Sequence, residues 1–144
     1  MKIPYTKMQG AANDFIVIDN RSLKLTHEQL SALAIQTCRH KFSIGADAVM
    51  AVDYPEGTAD FRMRFYNADG TEAEMCGNGA RCIARHACEQ QIAGEAMTIE
   101  TLAGDLPAWR LDKKQYKVLL NPPTLTRFDQ SFPGKSVTTL GACV

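Results

Sequence analysis

The chain has no apolar run long enough to cross a membrane, and Met1-Lys2-Ile3-Pro4 lacks the charged-then-apolar pattern of a secretory signal. A cytoplasmic protein is expected. There is no net charge, since sixteen basic side chains balance sixteen acidic ones, and no basic cluster is longer than Lys113-Lys114. Without an electropositive stripe, neither nucleic acid nor an anionic membrane is an expected partner, and a small molecule takes their place. No Cys-x-x-Cys pair occurs. Cys38, Cys76, Cys82, Cys88 and Cys143 are an odd set with no export signal, so they read as free thiols rather than a disulfide framework. Cys82 and His86 lie four apart on one helical face, but two ligands do not make a structural zinc site, and no metal is expected. Internal repeats and low-complexity segments are also missing.

What is there fits one ordinary domain: 144 residues, 45% hydrophobic and 22% charged, enough for a single core. Ile3–Met8 and Phe15–Asp19 read as short strands separated by a polar loop, Gln9 to Asp14. Thr26-His27-Glu28-Gln29 fits a capping box, and Leu30, Leu33, Ala34 and Cys38 continue the stripe of an amphipathic helix ending near Arg39. Ala48–Val52 is an apolar strand. Phe61, Met63 and Phe65 alternate with Arg62, Arg64 and Tyr66 as a half-buried strand requires, before a turn at Asn67-Ala68-Asp69-Gly70. A second helix is expected from residue 78 to about 93, with Gly94 as its stop and Ala80, Ile83, Ala84, Ala87 and Cys88 on one face. Its side chains are so small that sheet could enclose it on several sides. Met97–Thr101, Leu106–Leu111 and Tyr116–Leu120 follow as strands. The tail, punctuated by Pro122, Pro123, Pro133 and Gly134, reads as loop before a last apolar stretch, Ser136–Val144. The fold class is α+β, mostly strand with two helices.

The chemically pointed segment is Met75-Cys76-Gly77-Asn78-Gly79-Ala80-Arg81, where a cysteine immediately precedes the small-residue helix. Free N–H groups and the positive end of a helix dipole stabilise negative charge, so such a position favours a thiolate and offers donors to a carboxylate. That suits a cysteine acting as acid or base beside an anionic substrate. The plainer alternative is a small buried thiol at a helix entry. His27, on the solvent side of the first helix, His40 and His86 sit in no motif that needs a base and read as structural. Asp69 and Glu74 read as turn or strand-edge residues, and Arg62 and Arg64 as a solvated strand face.

Three stretches together resemble the diaminopimelate epimerase family: Lys7 to Phe15 (KMQGAANDF), Ile44-Gly45-Ala46-Asp47, and Phe65 to Arg81 (FYNADGTEAEMCGNGAR). Seventeen residues in register, in order with the other two, are far more specific than a lone glycine motif. The resemblance covers nearly the whole chain but only the first half of the family's enzymes. Residues 1–144 would thus be the amino-terminal one of two pseudo-symmetric domains, each wrapping mostly antiparallel strands around a central helix, with the second domain absent from this chain.

The resemblance implies epimerisation of LL-diaminopimelate to meso-diaminopimelate, in lysine and cell-wall precursor biosynthesis, without pyridoxal phosphate or any other cofactor. One cysteine thiolate removes the α-proton and the other cysteine's thiol delivers a proton to the opposite face. Cys76 would be one of that pair, so a single half would be inactive alone. Asn13 and Asn67 match the family's substrate-contacting asparagines, and Gly77 and Asn78 its backbone donors to the substrate. A homodimer of the full-length form is compatible with this. The sequence departs from the family at Ala12 and Ser43, each where glycine is usual, and at Ala48, to which no binding role is carried. Two other readings stay open: a racemase of another amino acid on the same fold, and a non-catalytic domain that binds a small molecule.

Overall fold

The computed structural model describes residues 2–122, together with the backbone of residues 125–132 and 135–143. The first two strands, β1 (Thr6–Gly10) and β2 (Asn13–Asp19), form a tight hairpin in which Gly10 pairs with Asn13. The loop expected at Gln9 to Asp14 is therefore corrected. Its outer residues belong to the ladder, and the turn is only Ala11 and Ala12, both at positive φ (52° and 68°). Left-handed pairs of this kind match the twist of the flanking strands, which is why two residues suffice. Holding an L-residue there costs about 1–2 kcal/mol. Ala12→Gly is accordingly expected to stabilise the chain by about 0.5–1 kcal/mol, the relief of strain exceeding the freedom that glycine adds to the unfolded chain. An unchanged or lower urea midpoint would contradict this.

A single helical turn not foreseen from the sequence, α1 (Asn20–Leu23), follows, capped by the Asp19 side chain and closed by Lys24 at φ 52°. The buried Asn20 amide ties it down, donating to the Leu25 carbonyl and the Asp53 carboxylate and accepting from the Leu25 N–H. Helix α2 (His27–Thr37) begins in the expected Thr26/Gln29 capping box and stops two residues short of Arg39. Next come β3 (Ala48–Asp53), β4 (Phe61–Asn67), β5 (Glu72–Ala73), α3 (Gly77–Glu89), β6 (Ala96–Thr101), β7 (Gly104–Arg110) and β8 (Tyr116–Val118).

These strands make one sheet in the order β1-β2-β3-β4-β6-β7-β8, with β5 paired to β4. The ladders are antiparallel except at β2/β3 and β4/β6, so the sheet is mixed. At both parallel junctions the connection is helical, α1 and α2 in one case and α3 in the other, as parallel neighbours require. Strands β2 and β3 are buried on both faces, which explains their continuous apolar runs. On one face Ile16, Ile18, Val49, Ala51 and Tyr66 pack with Leu30, Ala34 and Cys38 beside α2. On the other, Val17, Met50, Phe61, Met63 and Phe65 meet Ala80, Ile83, Ala84 and Ala87 of α3. Helix α3 touches β1, β2 and β3 as well as β6, β7 and β8, strands from both ends of the curled sheet. A Cβ on Gly79 would lie 2.9 Å from Met50 Sδ and 3.1 Å from Phe65 Cε2. The missing side chain is what lets helix and sheet approach this closely.

Helix α3 ends at Glu89 rather than running to 93. Gln91 takes the left-handed position (φ 57°), its N–H donating to the Cys88 carbonyl while the Ile92 N–H donates to Ala87. This is the double bond pattern of a Schellman stop, and it makes Gly94 unnecessary. Near that end His86 is only 6% exposed, and burial pushes its imidazole below the ordinary value of 6.5 against the pull of the Asp19 and Glu89 carboxylates. The unfolded chain then binds the proton more tightly than the folded one. This stability is fully present above about pH 6.5 and is lost as pH falls below it. His86→Gln should flatten the acid side of a urea-stability profile measured from pH 8 to pH 5, and an unchanged slope would contradict the assignment.

Beyond β8 the loop expected for the tail is corrected over residues 125–132, which form β9 (Leu125–Phe132), paired antiparallel with β10 (Lys135–Cys143) in a separate two-stranded ribbon. Both segments are rich in Thr, Phe, Val and Leu, residues suited to extended backbone. Pro123, Pro133, Gly134 and Val144, which the sequence reading used as punctuation or end point, lie outside the described residues, as does the Cys143 side chain. Among the described residues no helix is long and apolar enough to cross a membrane.

Candidate active site

Cys76 is the N-cap of the thirteen-residue helix α3, in extended backbone, with its Sγ accepting the Gly79 N–H at 3.4 Å. Gly77-Asn78-Gly79 form the first helical turn itself, one residue earlier than expected. The Ala80 N–H makes the first intrahelical bond, to the Cys76 carbonyl at 2.7 Å. That leaves the Gly77 and Asn78 N–H groups, which donate to no acceptor among the described residues. Two free amides at the positive end of a helix, beside a half-buried thiol, form a seat for an anion.

Asn13 and Asn78, far apart in sequence, meet here. The Asn78 Nδ2 donates to Asn13 Oδ1 at 2.7 Å, Asn13 Nδ2 donates to Asp47 Oδ2 at 3.0 Å, and the Arg81 guanidinium donates to Asn78 Oδ1. Asn67 is not joined to this chain. It closes β4 at the same end of the sheet, through the row Phe15–Ala48–Asn67, but its amide donates to Thr71 Oγ1 at 3.0 Å. In the same turn Asp69 accepts from the Thr71 N–H and hydroxyl, the turn role expected of it.

Asp47 and Arg81, to which the motifs alone assign no role, join the same group; the sequence signal for both is their place at the ends of Ile44–Asp47 and Phe65–Arg81. Asp47 and Asp14 clamp each other, each carboxylate accepting the other's backbone N–H at 3.0–3.1 Å. Lys7 lies 2.8 Å from Asp14 and also donates to the Gly45 carbonyl. The Lys7 ammonium, bonded to Asp14, holds that carboxyl below its usual range. Asp14, His40 and Asp47 bring potential ligand atoms within 4.8 Å of one another. With a lysine in the group and both carboxylates occupied by backbone N–H groups, the geometry is that of a loop clamp.

Arg62 and Arg64 are not a solvated face. Their side chains are about a fifth exposed: Arg62 pairs with Glu56 and Glu100, and Arg64 reaches Glu72 at 3.0 Å and the Tyr66 hydroxyl. The strand is internal to the sheet and these side chains are half-buried on the face away from α3, where each guanidinium is paired with a carboxylate. His27 joins this group, with Nδ1 3.0 Å from Glu72 and 3.1 Å from Tyr66, and so ties α2 to the segment leading to Cys76. Of the departures from the family pattern, only Ala12 falls at a left-handed residue; Ser43 does not, whereas the neighbouring Gly45 is at φ 73°. Ala48 is buried against α3 in the core.

The curled mixed sheet and its helices recur in solved racemase structures. A probable proline racemase from Agrobacterium radiobacter K84 matches 98% of this chain, and 48% of its own, with a TM-score of 0.68 at 14% identity, a likeness of fold. The profile described as Diaminopimelate epimerase matches residues 5–126, and the chain belongs to that family. It is 42% identical to diaminopimelate epimerase from Hydrogenobaculum sp., over 81% of this chain and 45% of that one. To the enzyme from Acaryochloris marina it is also 42% identical, over 98% of this chain and 49% of that one. The chain thus spans about half the length of the curated relatives it matches.

Proposed function

We propose that this chain is the amino-terminal domain of a cofactor-independent diaminopimelate epimerase, with Cys76 as one of two cysteine bases. The observation that carries the reading is the thiol at the start of α3, flanked by the N–H groups of Gly77 and Asn78, unpaired among the described residues, and by the Asn13–Asn78 amide pair. The substrate's α-carboxylate would take those two N–H groups, and Asn13 and Asn67 would serve its ammonium and carboxylate. A thiolate removes the α-proton, the electron pair left behind spreads into the carboxylate, and the helix amides stabilise the growing charge. A second thiol, from the domain that the relatives' extra length provides, returns a proton to the opposite face.

The fold supports this division of labour. Strands wrapped around α3 as a central helix would present its N-terminus at an open end, where a second pseudo-symmetric domain could close over the substrate. Deuterium exchange tests the reading. The complete enzyme, incubated with LL-diaminopimelate in deuterium oxide, should form the meso isomer with deuterium at the inverted α-carbon and no added cofactor. Exchange on another amino acid but not on diaminopimelate would assign a racemase of different specificity, and no exchange with any amino acid would leave a binding domain.

A further inference from the structure

On the reading that Asn13 and Asn78 hold the substrate, we infer that Asp47 is a positioning residue of the site, fixing the direction in which both carboxamides point. A carboxamide presents nearly the same shape with its oxygen and nitrogen exchanged, so only its partners decide which end faces where. The partners here leave no choice. An ionised carboxylate only accepts, so the Asn13 end that faces Asp47 must be the NH2 group, at 3.0 Å. That turns the Asn13 oxygen to Asn78, whose NH2 group donates to it at 2.7 Å. The Asn78 oxygen then faces the Arg81 guanidinium, which can only donate. Arg81, Asn78, Asn13 and Asp47 therefore form one chain in which each donates to the next, with a pure donor at one end and a pure acceptor at the other. Each amide keeps one N–H and one lone pair of known direction for a ligand.

Asp47 is itself held rigidly. Its N–H donates to the Asp14 carbonyl at 2.9 Å and to the Asp14 carboxylate at 3.0 Å, and Lys7 fixes that carboxylate from the far side. Its side chain is exposed and buries little apolar surface, so its engagement with Asn13 is its main contribution beyond the clamp. Without it, Asn13 is free to turn over, and Asn78 can follow.

The test compares KM and kcat for LL-diaminopimelate in the complete enzyme and its Asp47→Ala, Asp47→Asn, Asn13→Ala and Asp47→Ala/Asn13→Ala variants, with melting temperatures alongside. Asp47→Ala should raise KM about tenfold, with a smaller change in kcat. Asp47→Asn, which can turn its carbonyl oxygen to Asn13, should recover most of that loss, and the double variant should be no worse than Asn13→Ala. If Asp47→Ala unfolds the enzyme, Asp47→Ser replaces it, since serine keeps a polar oxygen near Asp14 but is too short to reach Asn13. A parental KM in Asp47→Ala or its serine substitute beside a raised KM in Asn13→Ala overturns the assignment. So does a loss of Vmax alone in step with melting temperature, or full additivity in the double variant. A parental KM in Asn13→Ala overturns instead the underlying reading of the substrate site.

Discussion

Cys76→Ser in the complete enzyme should leave a protein at least as stable as the parent and slower in α-proton exchange by about 10²–10⁴-fold. The two halves of this expectation come from different properties of one position. As an N-cap, Cys76 offers Gly79 only a long sulfur contact of 3.4 Å. Serine is among the preferred N-cap residues, and its hydroxyl accepts the N–H of the first turn more strongly than a thiol. For helix stability alone, then, serine is the better choice. As a base at neutral pH, however, a serine hydroxyl is far weaker than a thiol and gains little from the helix dipole. Cys76→Ala should lose activity equally while giving up about 1 kcal/mol or less of capping. The measurements are deuterium incorporation into substrate and urea denaturation of the same preparations. A serine variant that is both stable and more than a few per cent active would remove Cys76 from the pair of bases; one that is inactive because it melts early would leave its role structural.

Much of this site was legible because it rests on local rules. A helix preceded by a cysteine and opened by Gly-Asn-Gly announces itself through composition and capping, and the Thr26 box and the Phe61/Met63/Phe65 alternation follow from periods of 3.6 and 2. What the sequence concealed depends on partners. Ala11 and Ala12 carry no turn signature, yet the hairpin forces both to positive φ. Gln91 stops α3 although Gly94 looked the better stop, because the backbone bonds from Gln91 and Ile92 close the helix first. Arg64 and His27 alternate outward in sequence, but Glu72 and Tyr66 meet them there. Asp47 acts through Asn13, 34 residues away, and no pattern within β2 or the segment before β3 reveals the pair.

The largest expected effect on stability is at Ile83. Its side chain is fully buried at the middle of α3, among Ala80, Ala84, Ala87 and the apolar face of the sheet. Leu30, of the same size and also fully buried, lies on the inner side of α2, which rests on one face of the sheet, chiefly against β3 and β4. Truncating either to alanine removes the same transfer free energy, so the difference lies in how far the surroundings relax into the cavity. A helix resting on one side of a sheet can settle inward by a fraction of an ångström. One contacted by β1, β2, β3, β6, β7 and β8 is restrained on several sides at once, since moving toward one strand opens a gap at another. Ile83→Ala should therefore cost close to the upper end of the range of about 2–5 kcal/mol and Leu30→Ala close to the lower end. Urea denaturation of the two variants, with equal slopes confirming a comparable unfolding transition, measures the difference directly. If Ile83→Ala proves the milder of the two, the sheet does not grip α3 from several sides, and the central-helix reading of this domain fails with it.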